Sequence, residues 1–104
     1  MGEPEMVVYV DEELADLIPE FLENRRRDVE AITRLVQEGK HAELTRLGHT
    51  MKGTGGGYGF PEISEIGQGI EEAGARGDRK AITTLCERLA TYLATVAVKV
   101  RRQE

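Results

Sequence analysis

Residues 41–61, HAELTRLGHTMKGTGGGYGFP, decide the fold. Leu44, Leu47 and Met51 recur at helical spacing, so a helix starts near His41 or Ala42 and ends before Phe60-Pro61. Set His49 at zero on a helical wheel that steps roughly 100° per residue. Leu44, Leu47, Met51 and Tyr58 then fall within roughly 40° of the opposite pole. The apolar stripe turns toward a core, and His49 toward solvent. Lys52 and Gly53 flank the histidine one turn on, and Gly56 lies almost directly above it two turns on. Gly53, Gly55, Gly56 and Gly57 fall within five positions, each costing a helix about 0.5–1 kcal/mol relative to alanine. Spacing alone leaves two readings open. Either the helix ends near Gly53 in a glycine loop, or it continues and Gly53 and Gly56 leave a flat surface beside the imidazole.

Outward from this stretch, helical periodicity dominates. Asp11 with Glu12 and Glu13 reads as an N-cap and acidic first turn, opening a short leader helix through about Leu17. Pro19 fits the first turn of a longer helix carrying Phe21, Leu22, Val29, Ile32, Leu35 and Val36, with Gly39 as its stop. Pro61 opens a helix with Ile63, Ile66, Ile70 and Ala73, and Gly77-Asp78 supplies a stop followed by a cap. The last helix shows Ile82, Leu85, Leu89, Tyr92, Leu93, Val96 and Val100 at three-and-four spacing. The one strand signal, Val7–Val10, is too brief to found a sheet. Short connections force sequential helices to pack antiparallel. The expectation is an all-α chain, an up-down-up-down four-helix bundle with a leader helix, forming a single domain over residues 1–104.

With 104 residues there is room for one modest core. Met1–Met6 carries acids and no long apolar run, so it does not read as a secretory signal, and no stretch is long enough to cross a bilayer. One cysteine, Cys86, cannot form an internal disulfide. Set among Leu85 and Leu89 it reads as core or boundary filler and not as a redox switch, and its isolation fits a reducing, cytoplasmic setting. A net charge of −5 argues against a nucleic-acid binder, and Arg25–Arg27 and Lys99–Arg102 read as solvated helix faces. His41 lacks the lysine and glycines that surround His49 and reads as a helix-start residue. Two histidines eight apart without a nearby cysteine lack a metal-ligand spacing.

The run His49-Thr50-Met51-Lys52-Gly53-Thr54-Gly55-Gly56-Gly57-Tyr58-Gly59 resembles the signature of histidine-containing phosphotransfer (HPt) domains. There the phosphorylated histidine is followed by Lys at the third position, Gly at the fourth and Gly at the tenth. Lys52, Gly53 and Gly59 meet all three. Gly48 departs from the pattern, since an alanine commonly precedes the histidine. The resemblance covers essentially the whole chain and implies a four-helix bundle with the histidine on the second long helix. It also implies a Gln or Glu near the histidine's second nitrogen. Ungapped spacing puts Glu71 there, as in the phosphotransfer domains of chemotaxis kinases, with Gln68 a polar neighbour one turn earlier; the alternative for Glu71 is an ordinary exposed acid in the run Glu71-Glu72.

What the resemblance implies for chemistry is a phosphoryl carrier. His49 would attack through Nε2, Glu71 would fix its tautomer, Lys52 would offset charge, and Gly53 and Gly56 would admit a partner. Partners would be a receiver domain, a sensor histidine kinase, or both, with Mg2+ supplied by the receiver and no cofactor or ATP site in this chain. A monomer is expected, without nucleic-acid or membrane partners. Phe60 is either part of the docking surface or a staple for the helix that Pro61 opens. Two rival readings stand beside this one. The chain is a non-catalytic helical interaction module, or it is the N-terminal phosphoacceptor domain of a larger chemotaxis-type kinase. Met1 at the start and an end just after a complete helix are expected of a free-standing protein.

Overall fold

Three helices end alike, each on a glycine. In the computed structural model, which describes residues 6–102, α1 (Ile18–Glu38) runs into Gly39, α2 (His41–Gly57) into Gly59 and α3 (Pro61–Ala75) into Gly77. All three glycines have positive φ. At Gly59, φ is 87°. The Phe60 N–H donates to Gly55 O at 2.7 Å, and the Gly59 N–H donates to Gly56 O at 3.2 Å. This is the Schellman pair of bonds, which consumes two orphan carbonyls and needs a left-handed residue at its centre. α4 (Arg79–Thr95) starts differently: Asp78 Oδ1 accepts the Ala81 N–H at 3.1 Å, a side-chain N-cap. Pro19 and Pro61 lie in the first turns of α1 and α3, where a missing N–H costs nothing.

The apolar stripes of the four helices meet in one core, where Ile32, Leu44, Met51, Ile63, Ile66, Ile70, Ile82 and Leu89 are all but sealed from solvent. Phe60 is fully buried as well, its ring centroid 5.2 Å from that of Phe21, so it belongs to the core and not to a docking surface. Contacts between α2 and α3 descend along one as they ascend along the other, from Thr45 against Gly74 to Gly55 against Ser64, so the two run in opposite directions.

The chain ends differ from the sequence expectation. Met6–Asp11 is a strand, β1, paired in parallel with β2 (Val96–Arg101) in the register Met6↔Val96 to Asp11↔Arg101. No leader helix opens at Asp11; a turn and a three-residue 3-10 helix, Ala15–Leu17, lead into α1. The last helix stops at Thr95, before Val96 and Val100. Val96, Val98 and Val100 satisfy a strand period of two as well as a helical one, and β-branched residues favour the pleated alternative once a partner strand is present. Val8, Val96 and Val98 pack on the core, and Val10 is part of it. Residues 1–5, on which the N-terminal reading of Met1–Met6 rests, lie outside the described residues.

The basic runs are solvated helix faces only in part: Arg26 and Arg27 are exposed on α1, but the other members are not on a solvated helix face. Lys99 and Arg101 sit on β2. Arg25 is largely covered: its Nε binds Asp28 Oδ2 at 2.7 Å, its Nη1 donates to Thr54 Oγ1 at 3.0 Å, and its guanidinium lies 5.0 Å from the Phe21 ring centroid. It clamps α1 to α2. Burial raises the Asp28 carboxyl pKa above its ordinary value, a shift that the neighbouring Arg25 only partly offsets. Cys86 is buried with its thiol toward Val29 O, and burial pushes its pKa up, which leaves it a poor nucleophile.

Tyr92 on α4 is 3% exposed, and its hydroxyl has no hydrogen-bond partner among the described residues. Burial, with a smaller push from Glu62, raises its pKa to about 12. The folded state therefore holds the proton more tightly than the unfolded chain. The stability this provides is complete below about pH 10 and lost as the pH climbs toward about 12. Tyr92→Phe removes an unpaired buried hydroxyl and is expected to add about 1 kcal/mol at pH 7 and to flatten that alkaline loss. Urea unfolding at the two pH values reads both effects; a destabilised Phe variant at pH 7 would show that the hydroxyl is satisfied.

Candidate functional site

α2 continues unbroken through the glycine run to Gly57, which settles the choice left open by spacing. Local propensity opposes this, and packing overrides it. Gly48 and Gly55 are buried against α3, where Gly67 and Gly74 are buried in turn, while Gly53, Gly56 and Gly57 face outward. Backbones lacking side chains approach closely, and the helices gain contact along their length. The Ser64 hydroxyl donates to the Lys52 carbonyl at 2.9 Å and adds a polar tie across the same seam.

His49 stands on the outer side of α2 with a side-chain exposure of 73%. Its Nδ1 lies 3.1 Å from Glu71 Oε2 on α3, whose side chain is 29% exposed. A carboxylate oxygen only accepts, so Nδ1 carries the proton and donates it, and Nε2 is left with an available lone pair. Lys52, one turn on, is half-buried, and its ammonium makes no ion pair among the described residues. A side chain added at Gly53 would meet nothing within 4 Å, and one at Gly56 only the Ser64 hydroxyl at 3.8 Å, so the surface above the ring is open. His49, Glu71, Lys52, Gly53 and Gly56 therefore share one face.

Gln68 is exposed on α3, one turn before Glu71. Its amide donates to Glu72 Oε2 at 3.1 Å, one turn on along α3. An i,i+4 partner on the same helix captures it. His41 begins α2, half-buried with an unpartnered Nδ1, away from this face. Among the described residues there is no group of three or more His, Cys, Asp or Glu side chains that could hold a metal ion, and no helix is long and apolar enough to cross a membrane.

The sequence reading missed what lies beneath the site. Gly48 and Gly67 are not spare positions but the contact between the two helices that bring His49 and Glu71 together. The signal was present as a seven-residue spacing, Gly48 to Gly55 and Gly67 to Gly74, which puts small residues two turns apart on one face of each helix.

The fold is mostly helical, with an exposed histidine braced by an acid on the next helix, and comparison with known families gives the class it belongs to. The family model of the Hpt domain matches residues 16–99, and the chain belongs to that family. Hpt domains are phosphocarrier modules of two-component signalling; they are not ATP-binding enzymes, and they interact with receiver domains and kinases. Searches of curated proteins and of solved structures each returned no match.

Proposed function

We propose that this protein is a phosphorelay intermediate that takes up and gives away a phosphoryl group on His49. The observation that carries the reading is the exposed ring, with Nδ1 held 3.1 Å from Glu71 Oε2 and Nε2 without a partner among the described residues, on a helix whose Gly53 and Gly56 leave open space. In the accepting direction the Nε2 lone pair attacks the phosphorus of an aspartyl phosphate on a receiver domain. The N–P bond forms as the P–O bond to the carboxylate breaks, and the aspartate leaves as a carboxylate. The imidazole keeps its Nδ1 proton and becomes positively charged, and that charge faces the Glu71 carboxylate. Stabilisation is thus placed where charge develops, which is what in-line phosphoryl transfer asks of a protein. The reverse path uses the same groups.

Lys52 offsets charge on the transferred phosphoryl group, and Gly53 and Gly56 let the partner's backbone approach. Mg2+ belongs to the receiver, and the chain acts as a monomer on this reading.

Incubation with a phosphorylated receiver domain, or with an active hybrid kinase, is expected to put acid-labile, base-stable phosphate on the protein. Lys52→Ala should slow that transfer by roughly tenfold, the size of one charge contact near a surface. Its stability should change by less than about 0.5 kcal/mol, because no ion pair is lost. An unfolded variant, or one that transfers at the wild-type rate, would remove Lys52 from the site.

A further inference from the structure

The turn of α2 that carries His49 is pressed against α3 at both ends. A Cβ built on Gly48 would stand 2.5 Å from the Glu71 amide nitrogen, 2.7 Å from Gly67 O and 3.0 Å from the Glu71 Cα. From the other side, a Cβ on Gly67 would stand 2.5 Å from the Lys52 amide nitrogen and 2.8 Å from Gly48 O. All of these neighbours are backbone, which cannot swing aside as a side chain can. Ordinary contact between heavy atoms begins at about 3.5 Å, so one methyl group at either place must drive the helices roughly 1 Å apart. At Gly48 the displaced atoms belong to Glu71 itself, the residue whose carboxylate reaches back across the seam to His49.

We infer that Gly48, where the family commonly carries alanine, is a positioning residue in this chain: with α3 this close, its missing side chain sets the spacing of α2 and α3 that holds the Glu71 carboxylate within hydrogen-bond reach of His49 Nδ1. The inference rests on the reading of Glu71 as the group that orients His49. It adds that the 3.1 Å contact is fixed by the helix seam and not by the freedom of a long glutamate side chain. Gly55 supplies an internal control. A Cβ there would stand 2.6 Å from the Ser64 amide nitrogen, an equally severe backbone clash in the same seam, but two turns away from Glu71.

The test compares wild type, Gly48→Ala, Gly55→Ala and Glu71→Ala by NMR titration of the His49 ring nitrogens, with phosphoryl transfer from a phosphorylated receiver read alongside. Gly48→Ala is expected to shift the His49 tautomer balance and titration midpoint in the direction that Glu71→Ala does. It should also slow transfer by about tenfold or more, since an ångström of misplacement is costly in a positioned reaction. Gly55→Ala should leave the ring's titration as in wild type, even where it lowers stability as much. If Glu71→Ala leaves the titration unaltered, the orienting role of Glu71 falls, and the inference with it. If Glu71→Ala alters it and folded Gly48→Ala does not, or if Gly55→Ala alters it equally, only the positioning role falls. Glu71→Asp tests the same fixed spacing without touching the seam and serves where Gly48→Ala fails to fold. A carboxylate shortened by one methylene cannot reach across a rigid gap, so its titration should match that of Glu71→Ala. A wild-type titration for Glu71→Asp would overturn the inference.

Discussion

His49→Gln is expected to abolish labelling altogether: no acid-labile, base-stable phosphate forms on the variant, whether the donor is a phosphorylated receiver or a kinase. The amide nitrogen of glutamine is delocalised into its carbonyl and offers no lone pair for attack, whereas the neutral imidazole offers Nε2 at neutral pH. Every other requirement for transfer survives the substitution. The side chain is 73% exposed and takes no part in the core, so stability should stay within about 0.5 kcal/mol of wild type. α2 keeps its glycines and its contact with α3. Loss of labelling in a folded variant therefore isolates the nucleophile. The bond type matters to the assay, because phosphate on nitrogen resists base and yields to acid, an acyl phosphate yields to base, and a phosphoester survives acid. His41 is the only other histidine and is half-buried at the start of α2. A His49→Gln protein that still labels would mean that His41 or a non-histidine group carries the phosphate, and the carrier assignment to His49 would be wrong.

What the sequence made legible follows from how local each signal is. The extents of α1 and α3 are punctuated within a few residues of their ends by Pro19, Gly39, Pro61 and Gly77, and the N-cap of α4 by Asp78. The outward aspect of His49 also came from local periodicity, because its own helix turns every large apolar residue the other way. Glu71 was different. Periodicity says nothing about which acid on α3 meets α2, and the position came from the spacing of a resembling family. Apart from the leader helix, which is a turn and a 3-10 helix, the main misses are non-local. The β1–β2 pair joins segments some ninety residues apart in the chain, and neither Val7–Val10 nor Val96–Val100 declares its partner. Arg25 reads as a surface charge until Thr54 of α2 is set beside it. The glycine run looks like a helix breaker until α3 supplies a backbone for it to pack on, which is a case of tertiary contact overriding intrinsic propensity.

Phe60→Ala carries the largest expected cost in stability, about 3–5 kcal/mol, as for other aromatic-to-alanine truncations in sealed cores. The ring is wholly buried, and it packs on Phe21, which in turn stacks on Tyr58 at a centroid distance of 4.7 Å. This cluster closes the end of the bundle where α2 hands over to α3, and the backbone of Phe60 is tied into both helices. Its N–H caps α2 through Gly55 O, and its carbonyl accepts the Ser64 N–H at 3.1 Å in the first turn of α3. A domain of this size has only about 5–15 kcal/mol of stability in all, so the variant sits near its folding threshold at room temperature. The effect also separates the two roles that sequence allowed for Phe60. A docking residue would leave the denaturation midpoint alone and weaken receiver binding. A core residue lowers the midpoint, and residual transfer then tracks the fraction of folded protein. Urea titration monitored by circular dichroism, with transfer measured on the same samples, decides between them. A midpoint unchanged from wild type would show that the ring is not part of the core.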